Sequence, residues 1–222
     1  MKRYVQLLLQ AILAGFCIGM GGTIYLRVKD AFAGGTVVGA LLFTIGLFII
    51  CTRGYALFTG RACALFEHKP SYVIDLLIIW VGNFLGNLLI AGLESLTAVC
   101  GESGINTAAE TLVAGKMNAS FLSLFVLGIL CNIFIYVAVN GYANNPHELG
   151  KYLILFLGVA GFILAGTEHC IADQYYWSIS GILFRQPGQS LLRLLVISLG
   201  NVCGGVFFPL MEKLIKKLEK QA

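Results

Sequence analysis

Six long apolar segments constrain the fold of this chain more than any other feature of its sequence. They cover about residues 4–26, 35–52, 72–99, 119–141, 151–166 and 190–211. A helix needs about 20 largely apolar residues to cross the ~30 Å hydrocarbon core of a bilayer. Only 12% of the residues are charged and the mean hydropathy is +0.86, whereas a soluble domain carries about a quarter charged residues. The sequence therefore predicts an all-α membrane protein with six transmembrane helices in a single domain over residues 1–222.

Basic residues at the two ends of the chain predict its orientation. An even number of membrane crossings places both termini on one side, and cytoplasmic segments are enriched in Lys and Arg. We therefore predict a multi-pass protein of the inner (plasma) membrane, in contact with the lipid bilayer, with both termini in the cytoplasm. The net charge of +4 reflects these termini, and no nucleic-acid partner is expected. The residues concerned are Lys2, Arg3, Lys213, Lys216, Lys217 and Lys220.

A glycine–asparagine motif occurs once in each half of the chain. The two copies are Gly82-Asn83-Phe84-Leu85-Gly86-Asn87 and Gly200-Asn201-Val202-Cys203-Gly204-Gly205. Many transporters consist of inverted repeats of a few apolar segments, which place a substrate site near the bilayer midplane. We therefore predict two inverted three-helix repeats, at approximately residues 1–100 and 101–222. The Gly-x-x-x-Gly spacing within both motifs also favours close approach of helices in lipid.

The second and fifth apolar segments are interrupted by glycines and ionisable residues. The second segment meets Arg53-Gly54 and continues to Arg61, and the fifth reaches Gly166 and then Glu168-His169. Interrupted segments at corresponding positions in two halves point to a transport site, and membranes tolerate such breaks only inside protein or beside a cavity. An alternative interpretation of the second interruption is a helix end followed by a surface loop over residues 61–70.

His169 is the strongest single candidate for a functional residue. Ionisable side chains within a membrane are expensive and usually face the bundle interior or a pore, and histidine exchanges a proton near neutral pH. The alternative is a hydrogen-bonded histidine with a purely structural role. Thr59, at the other interruption, is a candidate hydroxyl partner, and the sequence leaves open whether the two side chains touch.

These motifs, in this order, resemble the formate/nitrite transporter family. The resemblance covers residues 14–209 and implies an aquaporin-like protomer with broken second and fifth helices, assembled as a homopentamer with one pore per protomer. It further implies passage of small monovalent anions such as formate, nitrite, hydrosulfide or lactate. The motifs are Ala14-Gly15, Gly21-Gly22, Leu57-Phe58-Thr59-Gly60, Trp80-Val81-Gly82-Asn83, Gly128-Ile129-Leu130-Cys131-Asn132, Glu168-His169 and Gly200-Asn201 with Gly204-Gly205.

The resemblance also implies roles for individual residues. His169 matches the family's central histidine, with Glu168 beside it, and Thr59 matches its loop threonine. Asn132 matches a pore-facing asparagine, and Lys116 matches a vestibule lysine that attracts anions. Apolar constrictions are expected at Phe43, Leu47, Leu57, Phe58 and Phe162.

The physics of anion transfer favours passage with a proton. A bare anion in a dry apolar constriction faces an idealised penalty on the order of 20 kcal/mol. Protonating a carboxylate with a pKa near ~4 at pH 7 costs only about 4 kcal/mol. We therefore predict that the anion crosses as the neutral acid, with the proton as a second partner and with His169 supplying or relaying it.

Three positions depart from the family pattern. The family usually has an acidic residue at the position of Ala56, and asparagines at the positions of Arg61 and Asp173. One interruption has thus lost an acid and gained a cation, while the other has gained an acid. We predict that Arg61 and Asp173 form an ion pair across the two interruptions. The alternative is that each side chain reaches water separately.

Two other functions remain open at this stage. A neutral small-solute pore of the aquaporin type would not need Lys116, Arg61 or His169. An intramembrane enzyme could use Glu168 and His169 as acid and base, but the sequence shows no nucleophile motif and no metal-ligand cluster to accompany them. The sequence carries no metal-ligand spacing and no Cys-x-x-Cys motif, so no cofactor is predicted. It does not select one anion, nor a channel over a proton symporter.

Overall fold

The computed structural model describes residues 1–221, and all regular structure within them is helical. The longer helices are α1 (Lys2–Val28), α2 (Gly35–Arg53), α4 (Tyr72–Ser95), α5 (Ile105–Asn118), α6 (Phe121–Asn144), α7 (Glu148–Leu164) and α10 (Pro187–Glu219). The shorter helices are α3 (Phe58–Ala62), α8 (Cys170–Ile179) and α9 (Ile182–Arg185), and a 3₁₀ turn covers Leu65–Glu67.

The long apolar helices correspond to the six predicted segments. Five of them, α1, α2, α4, α6 and α10, are long and apolar enough to cross a membrane. The fifth predicted segment is α7, which has 17 residues and is followed by an interruption and α8. Helix α5 lies outside the predicted segments because Glu110, Lys116 and several small polar residues make it too polar to stand out.

Both predicted interruptions are present, and each begins at a glycine in the left-handed region. Gly54 ends α2 with φ +70° and Gly166 follows α7 with φ +66°. Glycine adopts this conformation without the steric cost of a Cβ atom. After the first interruption the chain returns to the interior, since Phe58 and Thr59 are buried at the start of α3. A surface segment follows later, over residues 66–71.

The first interruption is held by the asparagine of the first glycine–asparagine motif. Asn83 on α4 donates from its amide nitrogen to the carbonyls of Ala11 on α1 (2.8 Å) and Ala56 (2.9 Å). Its amide oxygen accepts from the Phe58 N–H at 2.9 Å. One buried side chain therefore satisfies backbone groups that the interrupted helix leaves without partners, which would otherwise carry a large desolvation cost.

The second interruption is held in the same way by the second motif. Asn201 on α10 donates to the carbonyls of Gly128 on α6 and Glu168, both at 2.8 Å. Its amide oxygen accepts from the Cys170 N–H at 2.9 Å. The two asparagines thus play equivalent parts in the two halves of the fold, as expected of structural repeats.

Glycines let the helices that carry these asparagines pack backbone to backbone. The most extensive helix pairings are α1 with α4 and α6 with α10. A Cβ atom on Gly86 would overlap the Ile12 carbonyl oxygen, and one on Gly204 would overlap the Ile129 carbonyl oxygen. The Gly-x-x-x-Gly spacing therefore sets the close approach that places Asn83 and Asn201 within reach of both interruptions.

The start of α1 and the C-terminal part of α10 lie at one end of the helix bundle, which we call the basic end. Arg3 forms an ion pair with Asp75 near the start of α4. Tyr72, also at the start of α4, donates to the Arg61 carbonyl at 3.1 Å. The lysines of the C-terminal part of α10 line a cavity with Phe66 and Glu67. The end of α3, the start of α1 and the tail of α10 therefore share this side of the bundle.

Candidate functional site

The two interruptions meet at a contact between Thr59 and His169. The Thr59 Oγ1 and His169 Nε2 atoms lie 3.0 Å apart, although the residues are separated by 110 positions. Both side chains are buried. The tertiary structure therefore brings together the hydroxyl and the imidazole that sequence reasoning singled out separately.

The hydrogen bonds of His169 define its tautomer. The residue precedes α8, and its Nδ1 atom accepts a hydrogen bond from the Ala172 N–H at 3.1 Å. An acceptor nitrogen carries no proton, so in the neutral ring the proton is on Nε2. The Nε2–H group accordingly donates to the Thr59 hydroxyl. The side chain that caps α8 thus directs one exchangeable proton toward the junction of the two interruptions.

An apolar layer covers one side of the histidine. The Phe162 ring stacks on the imidazole with centroids 5.4 Å apart and an interplanar angle of 22°. Phe43 packs edge-on against Phe162 at 6.1 Å. Of the other predicted constriction residues, Leu47 and Leu57 line a second cavity, which lies beside α3. Phe58 is buried at the start of α3.

A cavity of about 230 Å³ opens onto the His169 side of the apolar layer. We call it the lysine vestibule. Its wall includes Lys116, Glu168, Asp173, His169 and Phe162, together with Tyr25 and Tyr176. Charged groups thus lie directly beside the buried histidine and the phenylalanine layer.

Lys116 is the centre of a three-group ion cluster in this vestibule. Its Nζ atom contacts the Glu168 carboxylate and lies 2.8 Å from Asp173 Oδ1. All three side chains are largely buried, and that of Asp173 is only 1% exposed. Lys116 reaches this position from α5, whereas both acids come from the second interruption and the first turn of α8.

The predicted ion pair between Arg61 and Asp173 is wrong, because Asp173 is paired with Lys116. Helices α3 and α8 both begin at the Thr59–His169 junction and run away from it toward opposite ends of the bundle. Arg61 at the end of α3 is exposed toward the basic end. Residues a few positions along two such helices cannot meet.

Arg61 instead lines a second cavity of about 310 Å³, which we call the arginine vestibule. Leu47 and Leu57 form its inner wall, and His68 and Tyr72 lie nearer the basic end. The two vestibules thus approach the Thr59–His169 junction from opposite sides, with apolar side chains between them.

Asn132 on α6 is a buried side chain that contacts the backbone of both halves of the site. Its amide nitrogen donates to the carbonyls of Thr59 (3.1 Å) and Asn201 (2.7 Å). Its Oδ1 atom is buried and has no hydrogen-bond partner within residues 1–221. The side chain therefore ties α3 to α10. Ala56 is also buried, and its carbonyl belongs to the Asn83 network.

Several features that shape the site were not predicted from the sequence. The glycine–asparagine motif signalled Asn83 and Asn201, but their partners are backbone atoms of distant segments. Tyr25 and Tyr176 line the lysine vestibule with no motif to mark them. Within residues 1–221, no group of three or more His, Cys, Asp or Glu side chains is placed to hold a metal ion.

Comparison with known proteins identifies relatives across almost the whole chain. The model of the family described as "Formate/nitrite transporter" matches residues 1–214. The "Formate channel FocA" of Haemophilus influenzae is 25% identical over 92% of this chain and 84% of its own length. The "Formate-nitrite transporter 3" of Toxoplasma gondii is 30% identical over 91% of this chain, which spans 45% of that protein.

Solved structures share the fold. One described as "Pentameric formate channel with formate bound" superposes with a TM-score of 0.83 at 26% identity, covering 98% of each chain. A second, described as "FNT family ion channel", has a TM-score of 0.83 at 22% identity. These matches confirm the predicted fold class. The relatives are channels and transporters, which also confirms the prediction that the chain is not an enzyme and identifies it as an integral membrane protein.

Proposed function

Because the chain belongs to the formate/nitrite transporter family, we propose that it carries small monovalent anions of the formate, nitrite, hydrosulfide or lactate class across the membrane with a proton. The observation that carries the proposal is the Thr59–His169 contact of 3.0 Å between two vestibules. Each vestibule contains a cation, Lys116 on one side and Arg61 on the other. This arrangement would draw an anion from either side toward the histidine.

Passage through the apolar layer is easier for the neutral acid than for the anion. In our proposal the anion collects beside Lys116 and then takes a proton before it passes Phe43 and Phe162. Bare-ion transfer into such a layer costs on the order of 20 kcal/mol, against about 4 kcal/mol for protonating a weak acid at pH 7. When the anion replaces the Thr59 hydroxyl as the partner of His169, it accepts a hydrogen bond from the Nε2–H group, which holds it at the junction. A hydronium ion of vestibule water gives the anion its proton and becomes water, because loss of the Nε2 proton would leave an imidazolate whose Nδ1 atom already accepts from the Ala172 N–H. Leu47 and Leu57 then lead to the arginine vestibule, where the acid ionises.

Assembly and location form part of the same proposal. A related solved structure is a pentameric formate channel, and we propose that this chain also forms a homopentamer with one pathway per protomer. The basic end supports a cytoplasmic location of both termini in the inner (plasma) membrane, by the positive-inside rule.

We expect proteoliposomes containing the protein to take up one or more of formate, nitrite, hydrosulfide and lactate, faster at about pH 5 than at about pH 8. His169→Asn is expected to lower this flux at least about tenfold, because the shorter amide side chain does not place an N–H group where His169 Nε2–H holds the anion beside the apolar layer. Uptake of each radiolabelled or optically reported solute measures the effect. His147→Asn is the matched control, since His147 lies in an exposed loop.

Two results would contradict the proposal. Full, pH-dependent anion flux in His169→Asn would remove the histidine from the pathway. Uptake of glycerol without any anion flux would instead favour the neutral-solute pore, despite the cations in the vestibules.

A second prediction concerns Arg61. Arg61→Asn is expected to lower anion flux a few-fold at low ionic strength and to have little effect at about 1 M salt, because exposed charges are screened within about 3 Å there. Folding should be unaffected, since within residues 1–221 the Arg61 side chain forms no ion pair. Arg53→Asn is the control, because Arg53 is exposed at the end of α2. Equal flux in both variants at all salt concentrations would rule out a role for Arg61 in attracting anions.

A further inference from the structure

The lysine vestibule contains one more acid than its single cation can balance. Lys116 contacts both Glu168 and Asp173, so one ammonium group faces two carboxyl groups. Because both carboxyl groups touch the same nitrogen, they are also close neighbours of each other. With both acids ionised, the cluster carries a net charge of minus one directly on the anion pathway proposed above.

Asp173 is the member of this cluster with an unused oxygen. Its Oδ1 atom lies 2.8 Å from Lys116 Nζ. Its Oδ2 atom is buried and has no hydrogen-bond partner in the described part of the chain. A buried carboxylate oxygen without a partner is costly, because burial removes its hydration and nothing replaces it. A proton on Asp173 removes the uncompensated charge.

The other groups around Asp173 do not supply a second cation. The vestibule wall contributes His169 and the phenols of Tyr25 and Tyr176. Both ring nitrogens of His169 already have hydrogen-bond partners, Thr59 and the Ala172 N–H. Tyrosine and cysteine side chains, including nearby Cys131 and Cys170, are ordinarily neutral near pH 7.

Charged side chains on the remaining helices packed against α8 form hydrogen bonds to partners other than the carboxylates of Glu168 and Asp173. Arg193 on α10 donates to the carbonyls of Lys116 and Met117. Glu94 on α4 accepts from the hydroxyls of Thr23 and Tyr175. The charge of the cluster is therefore decided by Lys116 and its two acids.

We propose that Asp173 and Glu168 share one proton, and that loss of this proton closes the lysine vestibule to anions. The inference rests on the proposed function and adds a regulatory proton site to it. A hydronium ion from vestibule water gives its proton to a carboxylate of the pair and becomes water. The cluster thereby changes from a net charge of minus one to neutral, and an anion can approach Lys116. At higher pH the proton returns to water and the restored negative charge repels the anion.

Difference infrared spectroscopy of the whole reconstituted protein tests the proton directly. The native protein is expected to show the carbonyl stretch of a protonated carboxyl group at about pH 6, and to lose it as the pH rises to about 9. Asp173→Asn and Glu168→Gln should each abolish this titrating band, because the remaining carboxylate is balanced by Lys116. Glu94→Gln is the control and should leave the titrating band in place.

Formate flux tests the consequence for transport. Native protein and Asp173→Asn are expected to differ little at about pH 5. At about pH 8, Asp173→Asn should exceed the native flux at least about tenfold, because the variant has no second negative charge to repel the anion. Lys116, His169 and Thr59 are unchanged in the variant, so the proposed pathway itself is retained.

The outcomes separate this inference from the proposed function. No anion flux in any protein would refute the proposed function, while the infrared titration would still report the shared proton. Absence of a titrating carboxyl band in the native protein would overturn the inference. So would a band that survives in both Asp173→Asn and Glu168→Gln, or native and Asp173→Asn fluxes with the same pH dependence. If Asp173→Asn fails to fold, Glu168→Gln provides the same spectral test.

Discussion

Formate flux at about pH 7 is expected to fall at least a hundredfold when Lys116 is replaced by methionine. A fixed positive charge about 5 Å from an anion is worth about 3 kcal/mol at an effective dielectric constant near 20, and each 1.4 kcal/mol is a factor of ten. Lys116 is the only cation that contacts Glu168 and Asp173 among residues 1–221. Its loss leaves two acids that must either repel the anion or take up protons. The measurement is formate uptake into proteoliposomes.

Stability must be separated from transport in this variant. Removing one partner of a buried ion pair costs about 3–5 kcal/mol, so we also expect Lys116→Met to unfold at a lower temperature in detergent. In the triple variant Lys116→Met, Glu168→Gln, Asp173→Asn, no buried carboxylate of the cluster is left unbalanced. This protein should regain most of the lost stability while its formate flux remains low. Native flux in the triple variant would show that Lys116 does not attract the anion.

The second large effect is expected from Gly204→Leu, which should prevent formation of the native fold. A Cβ atom at this position would overlap the Ile129 carbonyl oxygen, and a backbone atom cannot move aside as a flexible side chain can. Helices α6 and α10 would have to separate. Asn201, one turn earlier on α10, would then lose its bonds to Gly128 and to the second interruption. We expect the yield of folded protein, measured by size-exclusion chromatography in detergent, to fall at least about tenfold.

The matched control lies in the same helix. Gly188 of α10 is exposed, and a Cβ atom there meets nothing within 4 Å. Gly188→Leu should therefore give a native yield, which separates the effect of close packing from that of a lost glycine. A folded, transport-active Gly204→Leu protein would contradict the backbone-to-backbone packing of α6 and α10.

Sequence reasoning located the elements of this fold because their signals are local. The apolar segments are long enough to identify as spans, and Gly54 and Gly166 mark the two interruptions where a left-handed residue is required. It missed α5 because a polar helix of 14 residues has no apolar signal. The bounds of the two predicted repeats, and the roles of Asn132 and Phe58 in the pathway, remain predictions.

The partners of the charged residues could not be predicted from the sequence. Arg61 and Asp173 depart from the family pattern at the two interruptions, and their opposite charges made an ion pair the natural expectation. Whether they meet depends on the directions of α3 and α8, which no local pattern specifies. The structure directs the two helices to opposite ends of the bundle and pairs Asp173 with Lys116.

The sequence by itself determined that this chain spans the membrane, where its helices break, which glycines pack, and to which family it belongs. These properties depend on hydrophobicity, backbone freedom and motif order, all of which follow directly from the order of the residues in the sequence. Only the tertiary structure decided that Thr59 meets His169, that Asn83 and Asn201 hold the interruptions, and that Lys116 faces two acids. Such contacts join residues far apart in sequence, and they depend on how closely and in which direction the helices pack.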